Sequence, residues 1–164
     1  MIPRGTTVTK KDVLAKLAES RQYLHRATQG LSGKEMTQVQ VEGVWTIKDV
    51  LGHIASWEEI CLEPLRCYAD GDPFEVEAIK DYLILNEELA ARKQDIPLDA
   101  MLDELDAIRQ ELVATASKLS AEQWEQRVLF PWGDKGAVAE MLDELYQHEL
   151  EHVHAIQQWR GERD

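Results

Sequence analysis

Two of the five histidines, His148 and His152, stand one helical turn apart as H-x-x-x-H. Two imidazoles at that spacing can chelate one ion, whereas two unliganded buried imidazoles would each need a separate partner. At 100° per residue, with His148 at zero, His152 falls near 40°, Met141 and Trp159 near 20°, Leu145 near 60° and Ile156 near 80°, each value about right for an ideal helix. Both rings therefore lie within an apolar stripe. A third histidine, His53, shares a face with Val50, Trp57 and Ile60 by the same arithmetic. Taken alone it reads as a core histidine bonded to a carbonyl, but the i, i+4 pair elsewhere makes it a third ligand candidate. His154 falls near 240°, about opposite that stripe, and His25 has no partner at helical spacing, so both read as surface groups.

Long helices must carry these rings. Leu14, Leu17, Leu24 and Leu31 mark a first amphipathic helix over 10–29, which Gly30 and Gly33 end. Residues 34–44 read as a connection. A second helix starts sharply at Thr46, with Asp49 as its capping-box acid, and runs to about residue 69, where Asp70-Gly71-Asp72-Pro73 stops it. Residues 74–93 suggest an accessory helix. After Pro97, the series Leu98, Met101, Leu105, Ile108, Leu112, Thr115 and Leu119 alternates gaps of three and four, the pattern of a bundle helix. Residues 120–136 read as a loop and 137–160 as the last helix. No run alternates as a strand should. The chain is predicted to be one all-α domain over 1–164, a four-helix bundle whose second connection is far longer than adjacent antiparallel helices need.

If the second and fourth helices run antiparallel, His53 lies about 10 Å from one helix start and His152 about 12 Å from the other helix end, so the three rings meet at one level. Three neutral nitrogen donors leave a coordination position open, which marks a catalytic rather than a structural metal site. Imidazole suits zinc first, with nickel or iron as alternatives.

The 164 residues include 31 acids and 18 Lys or Arg, for a net charge of −13. That field repels phosphate backbones and anionic headgroups, so neither nucleic acid nor membrane is an expected partner. The N-terminal MIPRGTTVTKK has no apolar leader, and no stretch reaches the roughly 18 apolar residues of a spanning helix, so a cytoplasmic protein is expected. The expected partner is a small-molecule substrate, with a homodimer allowed. Cys61 and Cys67 sit too differently around one helix for a disulfide. Cys61, near 80° from His53, reads as a soft neighbour of the site or, more simply, an inert buried thiol. Trp57, Trp132 and Trp159 are candidates for a pocket wall or for closing a bundle end. The acids Glu87, Glu88 and Asp103 to Asp106 read as a solvated face.

The segments VWTIKDVLGHIASWEE (44–59), ILNEELAARKQDIPLDAMLDEL (84–105) and YQHELEHVHAI (146–156) together resemble the DinB/YfiT-like metalloenzymes, and within them the ClbS/DfsB branch. The most specific elements are Trp45-x-x-Lys48-Asp49-x-x-x-His53 and the terminal H-x-x-x-H. The resemblance implies an up-down-down-up four-helix bundle, a divalent metal, and metal-binding roles for His53, His148 and His152. It also implies activities ranging over thiol-dependent transferases, isomerases and hydrolases of reactive or toxic small molecules. A hydrolase using metal-activated water is the expectation, because no cationic cluster marks a thiol-cofactor site. Lys48 and Arg66 alone are thin support for one. A thiol-dependent transferase or isomerase and a non-catalytic metal-binding or interaction bundle are the alternatives.

Two further motifs compete for the same residues. His148-Glu149-Leu150-Glu151-His152 satisfies H-E-x-x-H, which would make Glu149 the general base of a zinc peptidase. The downstream ligand and the metzincin glycine are missing, so Glu149 is expected either to orient a bound water or, the reading preferred here, to face solvent. Glu149-x-x-His152 has the spacing of a di-iron carboxylate unit, but no second such unit exists on another helix.

Overall fold

The computed structural model describes residues 9–163, without the side chain of Arg163. The leader reading of the N-terminus and the ends of the 1–164 domain lie outside the described residues. Four long helices carry the fold: α1 (Lys10–Thr28), α3 (Ile47–Ala69), α5 (Leu98–Ser117) and α7 (Val138–Arg163). Between them lie α2 (Gly33–Gln38), α4 (Tyr82–Lys93) and α6 (Ala121–Glu125). Two antiparallel ribbons complete the set, β1 (Gln40–Glu42) with β2 (Trp45–Thr46), and β3 (Arg127–Leu129) with β4 (Lys135–Ala137).

Side-chain pairings fix the helix directions. Lys16 meets Asp143, Arg21 meets Glu149 and Arg160 reaches the Ala27 carbonyl, so α1 and α7 run parallel. Gly52 abuts Met101, Glu58 meets Arg109 and Arg66 meets Glu111, so α3 and α5 are parallel too. Lys10 bonds the Ser117 carbonyl and Arg21 that of Leu105, which sets α1 against α5. The result is an all-α bundle with up-down-down-up topology.

The capping box read at the start of the second helix is present, Thr46 accepting from the Asp49 amide and Asp49 from the Thr46 amide. From the α5 heptad positions, Met101, Leu105, Ile108, Leu112 and Thr115 are buried. The connections depart from expectation. Residues 34–44 hold α2 and β1 rather than plain coil, and 120–136 hold α6 and a hairpin. The accessory helix is confined to 82–93, and the stretch before it has no regular secondary structure but is tied down where Ile79 N–H donates to the Pro131 carbonyl at 2.8 Å. At the turn of the β1–β2 ribbon Gly43 takes φ 59°, a left-handed conformation that glycine adopts without strain. That ribbon turns the chain back so that Glu42 and Trp45 arrive beside the start of α3.

Candidate metal centre

His53 rides on α3, and His148 and His152 on α7, one turn apart. The Nε2 atoms of His53 and His148 lie 2.9 Å apart and those of His148 and His152 3.1 Å apart. The three rings offer one ligand atom each within 4.8 Å of one another. Tetrahedral zinc at 2.0–2.1 Å from each nitrogen would space such atoms by about 3.3 Å, so the cluster matches the donor set of a single small cation. Once the His152 proton sits on Nδ1 toward Glu42, hydrogen bonds among the three neutral rings leave at least one of the converging lone pairs without a donor. His152 Nδ1 bonds Glu42 Oε2 at 2.7 Å, which commits that ring's proton outward and leaves its Nε2 lone pair facing the other two rings. The residues present thus fit a divalent ion.

Electrostatics favour the unprotonated forms of His53 and His148. Burial, then the neighbouring rings of His148 and His152, lower the His53 pKa to about 3. Burial and then His152 lower His148 to about 4, against the smaller pull of Glu149 and Glu42. Trp45 packs on the His53 ring with centroids 4.7 Å apart. Sequence reading passed over Glu42, because a glutamate in a three-residue strand carries no periodic signal.

His154 is exposed, as its helical phase predicts, and His25, which borders the leucine stripe of α1, is exposed too and lies 3.2 Å from Asp106. Trp57 and Trp132 line one cavity with His53 and His148, whereas Trp159 packs at the edge of the core. Cys61 is wholly buried, its thiol pushed up by burial and then by Glu58 and Glu144, and both cysteines are free. Lys48 donates to the Gln94 carbonyl and Arg66 to both oxygens of Glu111, so neither cation faces the histidines. The acidic face is not uniformly solvated, since Glu104 pairs with Lys93 and Asp106 with Arg21.

Glu149 is the main correction. Its exposure is 0%, so it neither faces solvent nor borders the cavity. The wheel had been anchored on the histidines, but Leu142 and Val153 are also buried and fall near 120° and 140°, which puts Glu149, near 100°, about midway across the buried face. There it joins a quartet drawn from all four long helices. Glu149 Oε1 accepts from Arg21 Nε at 2.7 Å, and its Oε2 from Arg109 Nη2 at 2.8 Å and from the Ser20 hydroxyl. Glu58 Oε1 accepts from Arg21 Nη2 at 2.9 Å and from two nitrogens of Arg109. Burial opposes ionisation of Glu149, but Arg109 and then Arg21 outweigh it and hold its carboxyl below the ordinary range. Both oxygens are occupied, so Glu149 presents nothing to a water at the histidines. Its partners were readable in principle: Arg21, Glu58 and Arg109 each stand four residues after one buried apolar residue and three before another. Two acids and two bases at core positions form a balanced set.

Comparison with known proteins agrees with this fold. The bundle superposes on the mycothiol-dependent maleylpyruvate isomerase with TM-score 0.75 at 15% identity, over 90% of this chain and 60% of that one. The chain thus spans 60% of that isomerase's length. It superposes on the colibactin self-resistance protein ClbS, solved in complex with double-stranded DNA, with TM-score 0.77 at 15% identity over 95% of this chain and 98% of that one. An uncharacterised protein from Escherichia coli UTI89 gives 0.80 at 11% identity, with 96% of each chain covered. No curated protein matches by sequence. The DinB superfamily model matches residues 16–156, most of the described bundle, and the chain belongs to the DinB superfamily.

Proposed function

We propose that this protein is a metal-dependent enzyme acting on a small organic molecule of the reactive or toxic kind, with His53, His148 and His152 holding one divalent ion. The observation that carries the reading is the convergence of three imidazole nitrogens at one end of an aromatic-lined cavity. Zinc suits the donor set best, with nickel and iron as alternatives. Such an ion supplies Lewis-acid polarisation and lowers the pKa of water, which favours hydrolysis. Glu42 orients the His152 ring, and Trp45 and Trp57 screen the His53 side from water. Glu149 is assigned a structural role in the quartet and no part in the chemistry. A peptidase reading therefore has no general base.

A second reading, a thiol-dependent isomerase or transferase, draws on the fold shared with the mycothiol-dependent isomerase. The hydrolase is preferred because, among the described residues, no Lys or Arg lines the cavity to seat an acidic thiol cofactor. A metal-binding bundle without catalysis is the reading left if no turnover is found. The net charge of −13 still argues against nucleic acid as a partner of this chain. Among the described residues no helix is long and apolar enough to cross a membrane.

Elemental analysis of tag-free protein, followed by hydrolysis assays on small activated esters and lactones with and without added thiol, tests the proposal. One ion per chain and metal-dependent, thiol-independent turnover are expected. Metal that stays substoichiometric after reconstitution would refute the reading, and turnover that requires thiol would replace it with the second.

A further inference from the structure

The cavity beside the histidines encloses about 300 Å³. Its floor is apolar: Trp57 and Leu145 are buried, and Trp132 meets Trp57 nearly edge-on with ring centroids 6.3 Å apart. Its rim is polar. Asn86 of α4 accepts a hydrogen bond from Trp57 Nε1 at 2.9 Å, and Tyr82, 59% exposed, stands at the mouth. Glu144 completes the rim from α7, one turn before His148, which is about 6 Å along the helix axis.

Glu144 faces this space without a cation. Partial burial against the cavity wall, then the charges of Asp134, Glu140 and Asp143, raise its pKa, and the one group working the other way is the neutral Trp132 indole. That indole N–H favours the carboxylate form, yet it is buried and makes no direct hydrogen bond. Among the described residues, a ligand in this space meets indole rings, a local negative field and no Lys or Arg. Anions are repelled. Uncharged flat molecules gain stacking alone, whereas an ammonium gains the carboxylate and the attraction of the aromatic rings together.

We propose that this cavity recognises small primary amines with a flat apolar body, the ammonium held by Glu144 against the indoles of Trp57 and Trp132 and the far end directed toward the histidines. The placement of the reacting end rests on the metal-centre reading above, and the amine contact does not. An exposed ion pair and a cation–π contact acting together should make the ammonium bind roughly fivefold to thirtyfold tighter than a neutral isostere.

The test is titration calorimetry of the full chain, chelator-treated, with 2-phenylethylamine, 2-phenylethanol and phenylacetate at neutral pH. The amine is expected to bind tightest and phenylacetate weakest. Glu144→Gln should cut the amine's preference over the alcohol to the roughly twofold to fivefold that the indoles alone supply, without lowering the melting temperature. Glu151→Gln, which removes an exposed acid from the same helix outside the cavity, should leave the preference intact. Equal binding of amine and alcohol by the parent, a preference undiminished by Glu144→Gln or reduced equally by Glu151→Gln, or no saturable binding of any probe would overturn the inference. Metal content is measured on separate untreated samples. A chain that takes no metal but prefers the amine refutes the proposed function alone, and one that takes a stoichiometric ion without amine preference refutes this inference alone.

Discussion

Replacing Glu149 by glutamine removes one negative charge from a site where both guanidiniums remain. Arg21 and Arg109 are 7% and 5% exposed, so the charge left behind has no solvent to screen it. Glu58 would then be the one buried carboxylate facing two cations, with the more exposed Asp106 reaching Arg21 only from the edge at 3.3 Å, and the new amide NH2 would point a donor at the Ser20 hydroxyl or at a guanidinium. Breaking a buried pair by removing one partner costs about 3–5 kcal/mol, a large share of the 5–15 kcal/mol typical of a domain. At about 2–4 °C per kcal/mol for a chain of this size, the melting temperature should fall by roughly 6–20 °C. Calorimetry with metal present and after chelation measures the shift. A zinc peptidase would behave differently, keeping its stability and metal while losing peptide cleavage.

The paired change Glu149→Met with Arg109→Met separates the ion network from a packing defect. It leaves Arg21 with Glu58, still neutral and still paired at 2.9 Å. The double variant should therefore be more stable than the sum of the two single changes predicts, by about 1–3 kcal/mol. A Glu149→Gln melting temperature within about 2 °C of the parent, or strict additivity in the cycle, would refute the argument.

Alanine at His53, His148 or His152 should abolish metal uptake in elemental analysis, whereas alanine at His25 or His154 should not. Glu42→Gln should keep the stoichiometry but weaken metal binding by about 10- to 100-fold in competition with a chelating dye, because it releases the His152 ring. The metal-free chain should lose stability as pH falls. His53 and His148 titrate near 3 and 4 when folded but near 6.5 unfolded, so below about 6.5 the unfolded chain takes up protons that the folded one refuses. Melting temperatures measured from pH 7 to 4 should decline, and the double change to glutamine at these positions should flatten the decline.

Much of this molecule is legible because long helices repeat their signal. Thr46 and Asp49 announce the start of α3 within three residues, and the α5 heptads identify a bundle helix several times over. Convergence of the histidines follows from phase and depth, both simple products of helix geometry. The ribbons are a different case. With two or three residues per strand, β1 to β4 are too short for alternation to register, yet one of them carries Glu42 to the His152 ring. Nor does the crossover declare itself, since Ile79 is held by a hydrogen bond to Pro131, some fifty residues on. Glu149 was misread for a subtler reason. A wheel centred on the histidines leaves it at the edge of the apolar stripe, whereas its spacing of four residues from both Leu145 and Val153, each buried, places it within the core face.

Neighbouring residues link the quartet to the site. On α3, Trp57 faces the cavity and Glu58 the quartet; on α7, His148 faces the cavity and Glu149 the quartet. An apolar stripe alone tolerates sliding, since leucines recur at nearly equivalent positions each turn. Four buried charges at one level do not. A slip of one turn, about 5.4 Å, would carry Glu149 away from both guanidiniums and strand them in the core. The same slip would move His148 and His152 a full turn past His53. Because each ring that must converge stands within five residues of a charge that cannot be displaced, the register that neutralises the core also brings the three imidazole nitrogens to one level.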